Sequence, residues 1–149
     1  QVGLRHYAAK NYTQAVIWFR KAAEGEHPQS QFNLGQCYNN GEGVTKDHVQ
    51  AVFWYRKAAE QGDIAAQFNL GTCYREGQGV TNDHVQAVFW YRKAAEQGLV
   101  YAQFNLGNMY TDGEGVTKIM YKPCFGIVRQ PIKDMHQHNL TLVHAIVKV

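Results

Sequence analysis

Histidines, cysteines and acidic side chains are the groups of this 149-residue chain that could do chemistry, and their spacing decides which chemistry is open. His136 and His138, with Asp134 and His144 close by, have the short spacing of zinc ligands. They fall in a segment that, as argued below, carries no functional weight, so no metal site and no cofactor is assigned. His48 and His84 each follow an aspartate at the start of a helix, where solvation is the simplest reading and no catalytic role is expected. Gly41-Glu42-Gly43 and Gly77-Gln78-Gly79 look like phosphate loops, yet they follow helices and lack a Lys-Ser/Thr pair. No Ser or Cys nucleophile has a histidine at motif spacing. Cys37 and Cys73 occupy the same position in successive units, a whole unit apart rather than at disulfide distance, and read as small buried apolar residues. The chain is expected not to be an enzyme.

The elements that position these residues come from a repeat. Asp47 to Gln61, DHVQAVFWYRKAAEQ, returns letter for letter as Asp83 to Gln97, thirty-six residues later, and a looser copy runs from Asn11 to Glu24. A fixed period of this length marks an array in which each unit buries its apolar face on its neighbours. Each complete unit reads as two helices. The first runs from about Asp63 to Glu76, with Ala66, Leu70, Cys73 and Tyr74 on one stripe, Asp63 as its cap and Gly77 as its left-handed stop. After a loop anchored by Val80, the second starts at Asp83 with Gln86 in a capping-box arrangement and ends at Gly98. Its inner stripe is Ala87, Trp90, Tyr91, Ala94 and Ala95, and the helical spacing marks Trp18, Trp54, Trp90, Tyr55 and Tyr91 as core rather than a stacking platform. Gly71 is costly in a helix by about 1 kcal/mol. Its recurrence as Gly35 and Gly107 needs a packing reason, which we assign to close approach at Ala87 and Ala94.

Charge excludes a nucleic-acid partner. The formal net charge is +3, but residues 1–118 hold eleven Lys and Arg against eleven Asp and Glu, so all the excess lies beyond them. No apolar run approaches the roughly 18 residues of a membrane span. Gln1 is not an initiator Met, which points to a fragment or a processed form.

With these residues in view, the units resemble Sel1-like repeats, relatives of the tetratricopeptide repeat. The resemblance rests on Leu34-Gly35, Tyr38, Gly41, Gly43-Val44, Asp47, Ala51, Trp54-Tyr55, the run from Lys57 to Gly62, Ala66-Gln67 and their counterparts in the next unit. It implies an all-α, right-handed α-α superhelix, a solenoid of helical hairpins. The units are a tetratricopeptide-like partial repeat at 1–25, Sel1-like repeats at 26–61 and 62–97, and a truncated repeat at 98–118. It also implies a bacterial adaptor or host-interaction role and a periplasmic or secreted setting, by association alone. One rival is the secreted, cysteine-rich branch that binds or hydrolyses β-lactams; its paired cysteines are matched here by Ala58 and Ala94, which counts against it.

The pattern stops after Lys118. Permitted codons for Lys118 to Lys122, read one base out of frame, spell Asp-His-Val-Gln, and carried on they restore the string of Asp83 to Ala95. Residues 119–149 therefore read as a frameshifted copy of the next repeat, poorly ordered and without function, and a nonfunctional remnant is a further alternative. Loss of that second helix should leave the inner face from Phe104 to Tyr110 uncovered.

Comparison of the repeats with one another locates a binding face. Gln36, Asn39 and Asn40 of one unit become Thr72, Arg75 and Glu76 in the next, then Asn108, Thr111 and Asp112, all on one side of the first helix. Phe32, Phe68 and Phe104 run beside them unchanged. In tetratricopeptide-like solenoids this face lines the concave surface, so the resemblance implies a groove for a peptide or protein partner, with rings supplying area and the changing polar groups selectivity. The alternative left open is that the polar positions are solvated and the phenylalanines pack between repeats.

Overall fold

The computed structural model describes residues 1–115. Among these are seven α-helices and no strand: α1 (Val2–Ala8), α2 (Tyr12–Glu24), α3 (Pro28–Asn40), α4 (His48–Glu60), α5 (Ile64–Glu76), α6 (His84–Glu96) and α7 (Val100–Asp112). Dense packing runs between consecutive helices, as the all-α solenoid of hairpins requires. The tail at 119–149, its frameshift, its order and its histidine cluster lie outside the described residues.

Local sequence sets the helix ends. The Asp47 carboxylate accepts from the Val49 and Gln50 amides at 2.9 and 3.0 Å, Asp63 from Ala66 at 2.8 Å and Asp83 from Gln86 at 3.0 Å. Each such cap is worth about 1 kcal/mol. The capping box expected from Asp83 and Gln86 is only half made, because the Asp83 amide donates instead to the Tyr74 carbonyl at 2.9 Å. First helices stop at Gly41, Gly77 and Gly113, all in the left-handed region.

The core is a chain of three clusters, and each joins the second helix of one hairpin to the first helix of the next. Ala51, Val52, Tyr55, Ala58 and Ala59 of α4 meet Ala66, Leu70 and Cys73 of α5, and Trp90 of α6 closes the group. Val80 packs against these clusters as the loop anchor it was expected to be, and Val44 does the same one unit earlier. The tryptophans depart from expectation: Trp90 is buried, Trp54 is half-buried and Trp18 is 41% exposed. Each indole packs back on the preceding hairpin, and none precedes Trp18 among the described residues.

The helical glycines also have a different partner from the one expected. A Cβ on Gly71 would stand 2.8 Å from the Tyr91 ring, and one on Gly35 would stand 2.7 Å from the Tyr55 ring. The glycine seats an aromatic ring first, and at Gly35 the backbone carbonyl of Ala51, the counterpart of Ala87, follows at 3.2 Å. The loop glycines do something else. Gly79 and Gly115 have φ near +70°, and a Cβ on either would lie within 2.3 Å of the carbonyl oxygen of His48 or His84. Each loop thus rests, backbone on backbone, on the start of the previous unit's second helix. The inner face of α7 is not uncovered: Leu106 and Met109 have no exposed surface, because they pack back on Ala87, Val88 and Tyr91 of α6.

Candidate functional site

Helical spacing puts Phe32, Gln36, Asn39 and Asn40 on one side of α3, and the matching residues on the same side of α5 and α7. Phe32, Phe68 and Phe104 are all half-buried. The Phe32 ring lies 5.9 Å from that of Tyr55, and Phe68 lies 5.6 Å from Tyr91, both tilted, and each ring also packs against the cluster that joins its hairpin to the next. Beside them stand Asn33, Asn69 and Asn105, half-buried and absent from the expected set. The signal for them was there, since Gln-Phe-Asn-Leu-Gly recurs unchanged at 31–35, 67–71 and 103–107.

The changing positions divide into two kinds. Gln36 is half-buried, while Asn40, Glu76, Thr111 and Asp112 are exposed and held only by local bonds such as Thr111 to the Asn108 carbonyl. Thr72, Asn39 and Arg75 are tied into the array. The Thr72 hydroxyl donates to the Phe68 carbonyl at 3.2 Å and lies 2.9 Å from the Tyr91 hydroxyl. Asn39 Oδ1 lies 3.1 Å from His48 Nδ1, and Arg75 lies 3.5 Å from Glu114, which also stands 3.7 Å from His84. His48 and His84 are therefore half-buried and engaged rather than simply solvated. Glu42 plays the part of Glu114 two joints earlier, accepting from the Tyr7 hydroxyl at 2.6 Å. That bond, with burial second, raises the Tyr7 phenol above its usual range.

A second set of joints went unread in the sequence. Gln31, Gln67 and Gln103 are buried, and their side-chain amides donate to the carbonyls of Ala23, Ala59 and Ala95 on the preceding helix. Their own carbonyls are used in turn, Gln31 accepting from Gln61 at 2.7 Å and Gln67 from Gln97 at 2.8 Å. Arg20, Arg56 and Arg92 add a tie from each second helix to the hydroxyls of Tyr38, Tyr74 and Tyr110 on the next first helix.

Burial pushes the Cys37 and Cys73 thiols up to about 11, with Glu42 and Glu76 adding to it, so both are protonated, free and weakly nucleophilic at neutral pH. Among the described residues no group of His, Cys, Asp and Glu is placed to hold a metal ion. No described helix is long and apolar enough to cross a membrane. What the first-helix face does offer is concavity at its start. A hollow of about 260 Å³ lies between α1 and α3, walled by Leu4, Tyr7, Phe32, Asn33 and Gln36 over Phe19. A second, of about 340 Å³, adjoins it through Leu4, Phe19 and Asn33.

Comparison with known proteins agrees with this architecture. The family model described as Sel1 repeat matches residues 2–27, 28–63, 64–99 and 100–118. No curated protein matches. Among solved structures, c5321, a protective antigen present in uropathogenic Escherichia coli strains and displaying an SLR fold, is similar at 41% identity and a TM-score of 0.78, over 95% of this chain and 29% of its own. A Sel1 repeat protein from Oxalobacter formigenes is 34% identical with a TM-score of 0.77, over 95% of this chain and 54% of its own. Helicobacter pylori cysteine rich protein B is 31% identical with a TM-score of 0.58, over 60% and 67%. The chain thus spans about a third and about half of the length of the first two. With four repeats matched across residues 2–118 and the same fold in these solved structures, the chain belongs to the Sel1 repeat family.

Proposed function

We propose that the chain is a non-catalytic interaction scaffold, and that it binds an extended segment of a peptide or protein partner along the concave face formed by α3, α5 and α7. One observation carries this reading: each unit presents a half-buried phenylalanine beside a half-buried asparagine on the same helix face, at Phe32-Asn33, Phe68-Asn69 and Phe104-Asn105. Rings give a bound segment apolar area, and amides can both donate to and accept from its backbone. The exposed positions that change from unit to unit, Asn40, Glu76 and Asp112, then adjust which side chains are accepted.

Nothing on this face favours the β-lactam reading. Cys37 and Cys73 are free thiols, and Ala58 and Ala94 stand buried where that branch would carry second-helix cysteines. Selection from a random peptide library tests the scaffold reading. Peptides enriched on the purified chain should lose at least about fivefold in affinity when Asn33 and Asn69 are both replaced by Ala, since each loses a hydrogen bond worth about 0.5–1.5 kcal/mol. Enrichment that survives the double change, or turnover of a chromogenic β-lactam above a boiled control, would count against it.

A further inference from the structure

The joint between α1 and α3 is built differently from the joint that follows it. Aligning Gly3 with Gly35, and Ala15 with Ala51, sets Leu4 against Gln36, Tyr7 against Asn39 and Phe19 against Tyr55. At the first joint these three positions are all apolar or aromatic. At the second they carry two amides and a phenol. The hollow of about 260 Å³ lies at the first joint, with the buried Phe19 ring as its floor.

We propose that this hollow is an anchor pocket for one neutral aromatic or branched aliphatic side chain of the bound segment; the proposal rests on the groove reading for the path of the backbone. The chemistry of the walls selects the occupant. Three rings, Tyr7, Phe19 and Phe32, surround the space, and rings pack well on other rings in tilted or edge-on arrangements. No wall residue carries a charge. The one hydroxyl among them, on Tyr7, is committed to Glu42 at 2.6 Å. A charged side chain would lose water there and meet no opposite charge among the wall residues, whereas an apolar one loses only unfavourable hydration.

The polar atoms at the rim suit the backbone of the same segment. Gln36 makes no side-chain hydrogen bond within the described residues. Asn33 Oδ1 receives only a long bond of 3.4 Å from Gln29, and Asn33 lines the hollow with its amide donors engaged by no group among the described residues. One unit later Thr72, in the place of Gln36, is already bonded to Phe68 and Tyr91. An extended peptide can therefore be gripped by its amides at Asn33 and Gln36 while one side chain drops between Leu4 and Phe32.

The test is a nuclear magnetic resonance titration of the whole chain with four blocked tripeptides, acetyl-Gly-X-Gly-amide, where X is Phe, Leu, Lys or Glu. The Phe and Leu peptides should give saturable shifts of the Asn33 and Gln36 side-chain amides, and the Lys and Glu peptides should bind weaker by about tenfold or more. Leu4→Gln with Phe19→Tyr installs two of the three residues of the next joint and should abolish the shifts. Leu4→Gln alone, at a half-exposed position, should weaken them even if the double variant folds poorly. Equal binding of all four peptides, or shifts untouched by both variants, would overturn the pocket. Shifts of Asn69 with none at Asn33 would also overturn it while leaving the groove reading in place; no shift at any of the three asparagines would count against both.

Discussion

Gln97 donates to Gln67 at 2.8 Å, and Gln67 donates onward to the Ala59 carbonyl at 3.1 Å. One buried side chain thereby ties α4, α5 and α6 together. The same relay from Gln61 through Gln31 to Ala23 ties α2, α3 and α4. An array has no central core to hold its units in register, and apolar contact between smooth helix faces is not directional. The glutamines supply direction at each joint.

Gln67→Ala should therefore lower stability in urea by about 1–3 kcal/mol, because it removes two hydrogen bonds at once, the one to the Ala59 carbonyl and the one from Gln97, although the Gly62 amide still reaches Ala59 at 3.0 Å. Gln97→Ala, at an exposed helix end, should cost less than about 1 kcal/mol. Equal losses would mean that the relay contributes only its outer bond.

Gly71 and Gly79 should respond differently to the same added methyl. Gly71→Ala pushes on the Tyr91 ring and should cost about 1–3 kcal/mol, most of it recovered in a background of Tyr91→Leu. Gly79→Ala pushes on the His48 carbonyl at a positive φ, so no side-chain change should rescue it. Rescue of both, or of neither, would contradict the packing described.

Stability should fall in alkali. Cys37 and Cys73 have folded values near 11 against an ordinary 9.0, and burial raises Tyr55 and Tyr91 as well. Groups raised by folding hold their proton more tightly in the folded chain. Their contribution is complete below about pH 9 and is lost as pH rises through about 11. Thermal melts between pH 7 and 11 should be flat at first and then descend, and Cys37→Ala with Cys73→Ala should make the descent shallower. A melting temperature that rises above pH 9 would contradict this.

Much of this architecture can be read from one strand of letters because its signals are local. Asp47, Asp63 and Asp83 begin helices and Gly41 and Gly77 end them within a few residues, and the alanine and tyrosine stripes fall at helical spacing. Periodicity names the face of a helix but not the atom that meets it. For that reason Gly71 was matched to Ala87 and Ala94 when its partner is Tyr91. Gln67 has the composition of a surface residue and reveals itself only through the carbonyl it finds on the previous helix. The face bearing Phe68 and Thr72 was legible from internal comparison. That Arg75 is held by Glu114, a residue of the following loop, depends on how far one unit advances on the next, which spacing does not encode.

The account stands most directly on where a selected peptide touches the chain. A peptide enriched from a random library should perturb backbone amide signals of α3, α5 and α7 around Phe32, Phe68 and Phe104. It should leave Val49, Phe53, Val85 and Phe89, the exposed apolar residues of α4 and α6, unchanged. Perturbations gathered on Phe53 and Phe89, with none along the first helices, would contradict it.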